Sequence, residues 1–313
     1  MKKKLMIFDN HCDTIVAVRR NNRNWLLQSE DGHWDVERYM KANGKYQVMA
    51  VCPPSNLLGD TATSFAFEVI GSYYNISKTT NRIFTVKTKK DLDNIGNKLG
   101  IILAIEGANP LIGRENLLEM FFQAGIRLIT LTWNHRNELG DGIGVGGNYG
   151  LTNIGKKLVE GMYKRGIAVD VSHLNEAGFW DTSAILKSGI MASHSNAYAV
   201  CNHPRNLNDR QIKAISDRNG IIGFNFSSSF ICKDGQPGKE NFLAHLKHLK
   251  KVGGSKILAF GGDLDGINRG LITNSLQYPR LIKWAGEVLN DNELEDFAWK
   301  NSYNFFKHVL PEG

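Results

Sequence analysis

The chain has 313 residues, of which 42% are hydrophobic, and a formal net charge of +7. This length and composition suit one large hydrophobic core, so we expect a single domain spanning residues 1–313. The one dense basic cluster is Lys2 to Lys4, and positive charge that is otherwise scattered argues against nucleic acid as a partner.

Membrane insertion and secretion are not expected either. No apolar stretch reaches the roughly twenty residues that a membrane helix needs. The apolar run at 5–8 is too short for a signal peptide. The four cysteines are far apart and form no CxxC pair, which favours reduced thiols. We therefore expect a cytoplasmic protein.

Short apolar segments alternate along the chain with amphipathic ones. The apolar segments predict strands at 5–8, 47–51, 83–86, 101–105, 127–132, 167–171, 190–192, 221–226 and 257–260. The amphipathic segments predict helices at 62–74, 115–124, 154–165, 176–187, 209–218 and 239–252, and one or two terminal helices at 292–309.

This alternation predicts an α/β fold with a parallel sheet, and closing the sheet into a (β/α)8 TIM barrel leaves no free edge. The terminal helices would pack outside the barrel. One candidate strand is then surplus, and we expect the strand in the weak region before Ile101 to be spurious. Thr152 and Gly166 are typical of the two ends of the helix between them.

The first candidate metal ligands are His11 and Asp13, at the end of the first predicted strand. Alternate residues of an extended strand point to the same side, so the pair can chelate one ion. The alternative is a structural histidine in the core. The carboxyl end of a barrel strand is where active-site residues collect, which favours the metal.

Three further candidate donors follow later strands, namely Glu106, His173 and His194. An unpaired buried carboxylate is costly, so we expect Glu106 to bridge two ions, unless it pairs with an arginine or caps a helix. Either histidine alone could be a core residue. Five such donors together favour a site for two divalent ions such as zinc, which can generate hydroxide at neutral pH.

Two glycine-containing segments add candidates of different kinds. Asp263 lies in the segment 261–266 and could transfer a proton. A calcium loop is the alternative there, although the acidic spacing and terminal Glu of an EF-hand are absent. Gly142, Gly144 and Gly147 formally match a GxGxxG pattern. They do not lie between a strand and a helix, so we expect a mobile flap and no dinucleotide site.

Taken together, these segments resemble the membrane dipeptidase (renal dipeptidase) family, the M19 metallopeptidases of the amidohydrolase superfamily. The resemblance runs nearly end to end, with matching segments at 9–13, 105–107, 150–155, 170–173, 193–198, 204–206 and 262–266. It implies a zinc-dependent dipeptidase with two Zn²⁺ ions per chain. His11 and Asp13 would hold one ion, His173 and His194 the other, and Glu106 would bridge them.

The resemblance also implies the rest of the catalytic apparatus. A hydroxide bridging the two ions would attack the peptide carbonyl, and Asp263 would exchange a proton with this water and with the leaving amine. Arg205 would bind the free carboxylate of the dipeptide, which suits its planar fork; an ion pair at a helix flank is the alternative. Asn225 and Trp133 are further predicted substrate-binding residues. The family's frequent dimers make a homodimer a candidate assembly.

The chain departs from the family at one predicted catalytic position. Family members place a histidine that steadies the carbonyl oxygen in a Leu-Thr-His setting, whereas this chain has Trp133 there. His135 is our candidate for the same role, and loss of such a donor can cost about 10²- to 10³-fold in turnover. Two other functions stay open: an amidohydrolase acting on a non-peptide amide or lactone, and a catalytically impaired binding protein on the same scaffold.

Overall fold

The structure is a computed structural model that describes residues 4–21 and 23–313. Lys2 and Lys3 of the predicted basic cluster therefore lie outside the described residues. The described residues form nine strands: β1 (Ile7–Cys12), β2 (Gly44–Val51), β3 (Ile83–Thr85), β4 (Leu99–Glu106), β5 (Ile126–Thr130), β6 (Ala168–Asp170), β7 (Ile190–Ala192), β8 (Ile221–Phe224) and β9 (Leu258–Phe260).

Thirteen α-helices occur in the same part of the chain: α1 (Thr14–Asn21), α2 (Val36–Lys41), α3 (Asp60–Ser77), α4 (Lys89–Asp93), α5 (Glu115–Gln123), α6 (Asn153–Arg165), α7 (Glu176–Ile185), α8 (Asp209–Ser216), α9 (Ser228–Ile231), α10 (Lys239–Gly253), α11 (Tyr278–Ala285), α12 (Asp291–Glu295) and α13 (Asn301–Val309). A π-helical turn, Asp296–Lys300, joins α12 to α13. No helix of residues 4–21 and 23–313 is both long and apolar enough to cross a membrane.

The strands form one sheet in the order β2-β1-β9-β8-β7-β6-β5-β4-β3, with an additional pairing of β2 with β4. The registered pairs are parallel, for example β4 with β5 and β8 with β9. A parallel sheet that closes through β2 and β4, with helices following its strands, is a (β/α)8 barrel. The predicted fold class is thus confirmed.

The doubtful strand before Ile101 is real but is not one of the eight that close the sheet. β3 pairs with Leu99–Ile101 at the beginning of β4. The later part of β4 pairs with β5. The apolar segment at 83–86 therefore forms a genuine strand, and the expectation that it is spurious is wrong, because pairing with the beginning of β4 stabilises it.

The chain divides into two compact units. The first comprises Met1–Met49 and Ala192–Phe305, and the second Ala50–Met191 and Phe306–Gly313. In the first unit β1 pairs with both β2 and β9, and β9 pairs with β8. In the second unit the pairings run from β3 through β4, β5 and β6 to β7. The single domain that we expect for residues 1–313 stays a prediction.

The aromatic core of the first unit is built around β9. The ring of Phe260 lies 4.3 Å from that of Phe297 in the π-helical turn and 5.2 Å, edge to face, from that of Tyr278. The side chain of Asn301 donates to the carbonyl of Leu258 at 2.8 Å. The predicted C-terminal helical segment therefore packs directly against β9.

Helix α6 of the second unit has the two ends that the sequence predicts. The Thr152 side chain accepts a hydrogen bond from the Gly155 backbone N at 2.9 Å, which caps the first turn. Gly166 closes the helix with a φ of +72°, in the left-handed region that glycine adopts without strain.

His245 of α10 is a fully buried, uncharged link within the first unit. Its Nδ1 accepts from the Ala197 backbone N at 3.2 Å, and its Nε2 donates to the Ile231 carbonyl at 3.0 Å. Burial lowers the pKa of His245 from 6.5 to about 4. Below about pH 6.5 the His245 side chain is therefore protonated in the unfolded chain before it is protonated in the folded chain.

We expect this residue to make the fold acid-sensitive. As pH falls from 6.5 towards 4, the unfolded state gains a proton at this position before the folded state does, so stability decreases. At about 1.4 kcal/mol per pH unit, the loss approaches about 3 kcal/mol. Urea unfolding across this pH range measures it. His245→Gln should be less stable at pH 7 but show a shallower slope; an unchanged slope would refute the assignment.

Candidate metal centre

Two of the predicted ligands and the predicted proton carrier lie together in the first unit. His11 is in β1, Asp13 directly follows it, and Asp263 follows β9. One ligand atom of each residue lies within 4.8 Å of those of the other two. His11 and Asp13 are buried, and Asp263 is half-buried. An imidazole beside carboxylate oxygens is a donor set that suits zinc.

Strand β1 continues further than its apolar run, because the polar Asp9 is satisfied inside the sheet. Its carboxylate accepts hydrogen bonds from the backbone N of His11 and of Gly262, at 2.9 and 2.8 Å. Side chains of Gln47 and Tyr278 also donate to it. Burial raises the pKa of Asp9, while these four donors favour its charged form. Asp9 thus joins β1 to the turn that carries Asp263.

Asp263 is held in place by backbone and side-chain contacts. Its φ is +57°, which an L-residue adopts only when its surroundings impose it. Its backbone N donates to the His11 carbonyl at 3.0 Å, and its Oδ2 accepts from the Asn225 side chain at 3.0 Å. Asn225, a predicted substrate-binding residue, is fully buried and holds this carboxylate. Direct contact of Asn225 with substrate stays a prediction.

Gly266 leaves the space that the two carboxylates of this cluster use. A Cβ at position 266 would lie 2.2 Å from Asp13 Oδ2 and 2.4 Å from Asp263 Oδ1. Both distances are far shorter than real contacts. A side chain at position 266 would therefore displace the carboxylates of Asp13 and Asp263 from their present positions.

Asp265, in the same turn, is hydrogen-bonded to the segment that follows β1. Its carboxylate accepts from Thr14 Oγ1, from Arg23 and from the His33 backbone N, each at 2.7 Å. The His33 ring in turn accepts from the Asp265 backbone N at 3.1 Å. Asp265 is thus a structural anchor, and His33 is one of its partners.

Ser193 contacts the two predicted ligand histidines of the first unit, His11 and His194. Its Oγ lies 2.6 Å from His194 Nδ1 and 3.3 Å from His11 Nδ1. The two imidazole rings lie 3.9 Å apart. His11 Nε2 lies 3.5 Å from Asp13 Oδ2. The Nδ1 atoms therefore face the serine, and His11 presents Nε2 to the carboxylate side.

Arg205, the predicted carboxylate-binding residue, is also in the first unit and is 7% exposed. Its guanidinium donates to the His194 carbonyl at 3.4 Å and lies 5.5 Å from the centre of the Phe230 ring. The ring restricts the plane of the guanidinium. These contacts place the guanidinium next to the backbone of a predicted ligand.

The second unit brings together two other predicted ligands, Glu106 and His173. Glu106 is the last residue of β4, and His173 follows β6 with a φ of +71°. His173 Nε2 lies 2.9 Å from Glu106 Oε1. On the other side of the ring, His173 Nδ1 lies 2.7 Å from the Asn134 side-chain oxygen. The arrangement matches that of His11, with Nδ1 on a neutral oxygen and Nε2 towards a carboxylate.

Trp133 and His135, both in the second unit, differ in solvent exposure. The Trp133 ring lies 6.1 Å from the His173 ring and 5.5 Å from the His135 ring. His135 is exposed, and Trp133 is half-buried. Trp133 therefore lies beside the predicted ligand His173. His135 instead packs against the Trp133 ring. The catalytic role of His135 stays a prediction.

The glycine-rich segment of the second unit is attached to these residues over its first half. The backbone N of Ile143 donates to the His173 carbonyl at 2.7 Å, and that of Gly144 to the Asn134 carbonyl at 2.9 Å. The next residues, 146–149, are exposed. The predicted flap is consequently attached at 142–144, and at the end of its exposed part the Tyr149 carbonyl accepts a hydrogen bond from the Asn175 side chain at 2.7 Å. Mobility of the flap stays a prediction.

Three residues near the predicted ligands, Ser193, Asn134 and Asp9, have no predicted role in the sequence although they make the contacts described above. Ser193 could have been suspected, since a histidine that binds a metal usually donates its other ring N–H to a nearby oxygen. Asn134 is remote in sequence from His173 and gave no such signal.

A parallel barrel with imidazole and carboxylate side chains at the carboxyl ends of its strands belongs to the metal-dependent hydrolase class. The chain matches the family described as membrane dipeptidase (peptidase family M19) over residues 1–310. The chain belongs to this family, and it is therefore an enzyme of the metallo-dipeptidase type.

Individual relatives agree with this membership. A Klebsiella pneumoniae protein encoded in the pqqA 5′ region is 35% identical over 225 residues, which are 67% of this chain and 82% of that protein. An uncharacterized dipeptidase of Schizosaccharomyces pombe is 28% identical, covering 96% of this chain and 80% of that protein.

Solved structures extend the likeness to the whole fold. The structure of a dipeptidase described as a family M19 metallopeptidase has a TM-score of 0.92 at 25% identity, covering 98% of this chain and 99% of that one. A metallopeptidase of Rhodobacter sphaeroides, liganded with a phosphinate mimic of the dipeptide L-Ala-D-Ala, has the same TM-score and identity and covers 98% and 100% of the two chains.

Proposed function

We propose that this chain is a cytoplasmic dipeptidase that uses two zinc ions. His11 and Asp13 would hold one ion, His173 and His194 the other, and Glu106 would be shared. The observation that carries the proposal is the orientation of the histidines. The Nδ1 atoms of all three lie on Ser193 or Asn134 oxygens, and Nε2 of both His11 and His173 faces a carboxylate.

The donor set fits zinc, because it consists of imidazole nitrogens and carboxylate oxygens. When bound, a pair of zinc ions supplies Lewis-acid polarisation of the peptide carbonyl and activates water at neutral pH. The protein contributes proton transfer and substrate positioning. Asp263, fixed by Asn225 and by its left-handed backbone, would take the proton of the attacking water and deliver it to the leaving amine.

Arg205 would bind the carboxylate of the dipeptide. A guanidinium held against an aromatic ring presents its N–H groups in a fixed plane, which suits a bidentate carboxylate. The phosphinate dipeptide mimic bound by the R. sphaeroides relative supports a dipeptide as substrate. Trp133 would line the pocket beside His173, with Asn225 and His135 as the remaining candidates for substrate contact and carbonyl stabilisation. A homodimer stays the predicted assembly.

A metal assay and a substrate panel test the proposal together. Purified protein should contain about two zinc equivalents per chain and hydrolyse dipeptides. A protein that cleaves only non-peptide amides or lactones would contradict the substrate assignment. A zinc-loaded protein that binds dipeptides without cleaving them would contradict the catalytic one.

Arg205→Ala should lower kcat/KM for dipeptides by roughly 10- to 100-fold, mainly through KM, because one charged hydrogen-bonding partner is lost. Steady-state kinetics on a dipeptide and on its C-terminal amide measure the effect. The amide lacks the carboxylate, so the substitution should change its kinetics little. Arg205→Lys keeps the charge and should recover part of the loss. Equal losses on both substrates would show that Arg205 does not bind the carboxylate.

A further inference from the structure

Asn134 lies in the segment where the chain departs from its family, and it contacts a predicted ligand. Its side-chain oxygen lies 2.7 Å from His173 Nδ1. An amide oxygen only accepts hydrogen bonds, so the proton of this contact belongs to the imidazole. The contact is a hydrogen bond when His173 carries its hydrogen on Nδ1, and this tautomer leaves Nε2, on the opposite side of the ring, as the atom available to a metal ion.

The Nε2 side of the ring has the matching partner. Glu106 Oε1 lies 2.9 Å from His173 Nε2, so Asn134 and Glu106 lie at the two nitrogen atoms of one imidazole. The ring is only 8% exposed. Rotation of the imidazole by half a turn would place the ring carbons Cδ2 and Cε1 where Nδ1 and Nε2 now lie. The Asn134 contact disfavours that rotation because it would lose the Nδ1 hydrogen bond.

The glycine-rich segment fixes the distance between Asn134 and His173. Ile143 donates its backbone N–H to the His173 carbonyl, and Gly144 donates to the Asn134 carbonyl. A Cβ on Gly142 would lie 2.0 Å from the Trp133 carbonyl oxygen, and one on Gly144 would lie 2.8 Å from that of Asn134. The two glycines allow this close approach, so the segment joins both residues through backbone alone.

We propose that Asn134 is the positioning residue of His173: it accepts the Nδ1 proton, fixes the ring and its tautomer, and leaves Nε2 for the zinc ion. The inference rests on the proposed function, because it takes His173 as a zinc ligand. Orienting partners of this kind influence metal affinity roughly 10- to 100-fold.

The experiment compares two substitutions at Asn134 with a control in the same segment. Asn134→Leu keeps a similar size and removes the acceptor, whereas Asn134→Asp keeps an acceptor and strengthens it. Glu138→Gln is the control, since Glu138 is exposed. Zinc affinity is measured by chelator competition, and the histidine tautomers by ¹H–¹⁵N spectra of the zinc-loaded protein, with His173 assigned through His173→Gln.

We expect the weaker zinc site of Asn134→Leu to lose roughly 10- to 100-fold in affinity, while Asn134→Asp and Glu138→Gln retain it. In the wild-type protein the His173 proton should be on Nδ1. This spectrum decides the matter even if Asn134→Leu does not fold, because a proton on Nε2 would overturn the inference. If the wild-type and Asn134→Leu proteins bind zinc with equal affinity, the inference about Asn134 is overturned but the proposed function is not. A wild-type protein that binds no zinc would overturn the proposed function as well.

Discussion

Glu106→Gln should lose zinc and lower kcat by about 10³-fold or more, which corresponds to several kcal/mol of metal-derived stabilisation. The substitution preserves size and removes the negative charge. That charge lies 2.9 Å from His173 Nε2, in a side chain only 5% exposed. A neutral amide there cannot balance two divalent cations. Elemental analysis of the purified variant and steady-state kinetics on a dipeptide measure the two losses.

The matched control is Glu119→Gln on α5 of the same unit. Glu119 is 45% exposed and pairs with Arg165 at 2.8 Å. An exposed pair of this kind contributes at most about 1 kcal/mol, so zinc content and kcat should stay at wild-type values. Full activity and full zinc content in Glu106→Gln would show that Glu106 is not the shared ligand.

Asp263→Asn should retain zinc and lose about 10²- to 10⁴-fold in kcat, because an amide cannot carry the proton from water to the amine. KM should change little, since Arg205 still binds the substrate. The Asn225 contact needs an oxygen at position 263, and asparagine retains one. Kinetics and elemental analysis must be performed on the same preparation.

Asp217→Asn serves as the control for this variant. Asp217, which directly follows α8, is 53% exposed and its partner is Lys213, so its substitution should leave both quantities unchanged. If Asp263→Asn loses zinc in parallel with activity, Asp263 is a metal ligand. If it keeps wild-type kcat, the proton is carried by another group.

The long elements of the fold could be predicted from the sequence, because their periodicity is clear. The helix predicted at 115–124 is α5 (Glu115–Gln123), and the helix predicted at 154–165 is α6 (Asn153–Arg165). Helices of four to six residues, such as α2 and α9, are too short to show a period. Strand β1 was predicted to end at residue 8 but continues to Cys12. Polar residues there are stabilised by partners, such as Tyr278, that are distant in the sequence.

The candidate site also contains some residues that the sequence predicts and others that it does not. The predicted ligands could be proposed from the sequence because each lies at or shortly after the end of a strand, and all strand ends of a parallel barrel face the same rim. The residues that contact the Nδ1 atoms of the predicted ligand histidines could not be predicted. Asn134 and His173 are 39 positions apart, and their contact depends on how the glycine-rich segment folds back. Hydrophobic periodicity carries no information about such a contact.

The absence of a side chain at Gly266 constrains any redesign of the turn that carries Asp263. Since any Cβ there would collide with Asp13 and Asp263, a larger residue cannot add a favourable contact without displacing two carboxylates first. Substitutions that leave the Asp13 and Asp263 cluster intact would therefore have to keep position 266 free of a side chain.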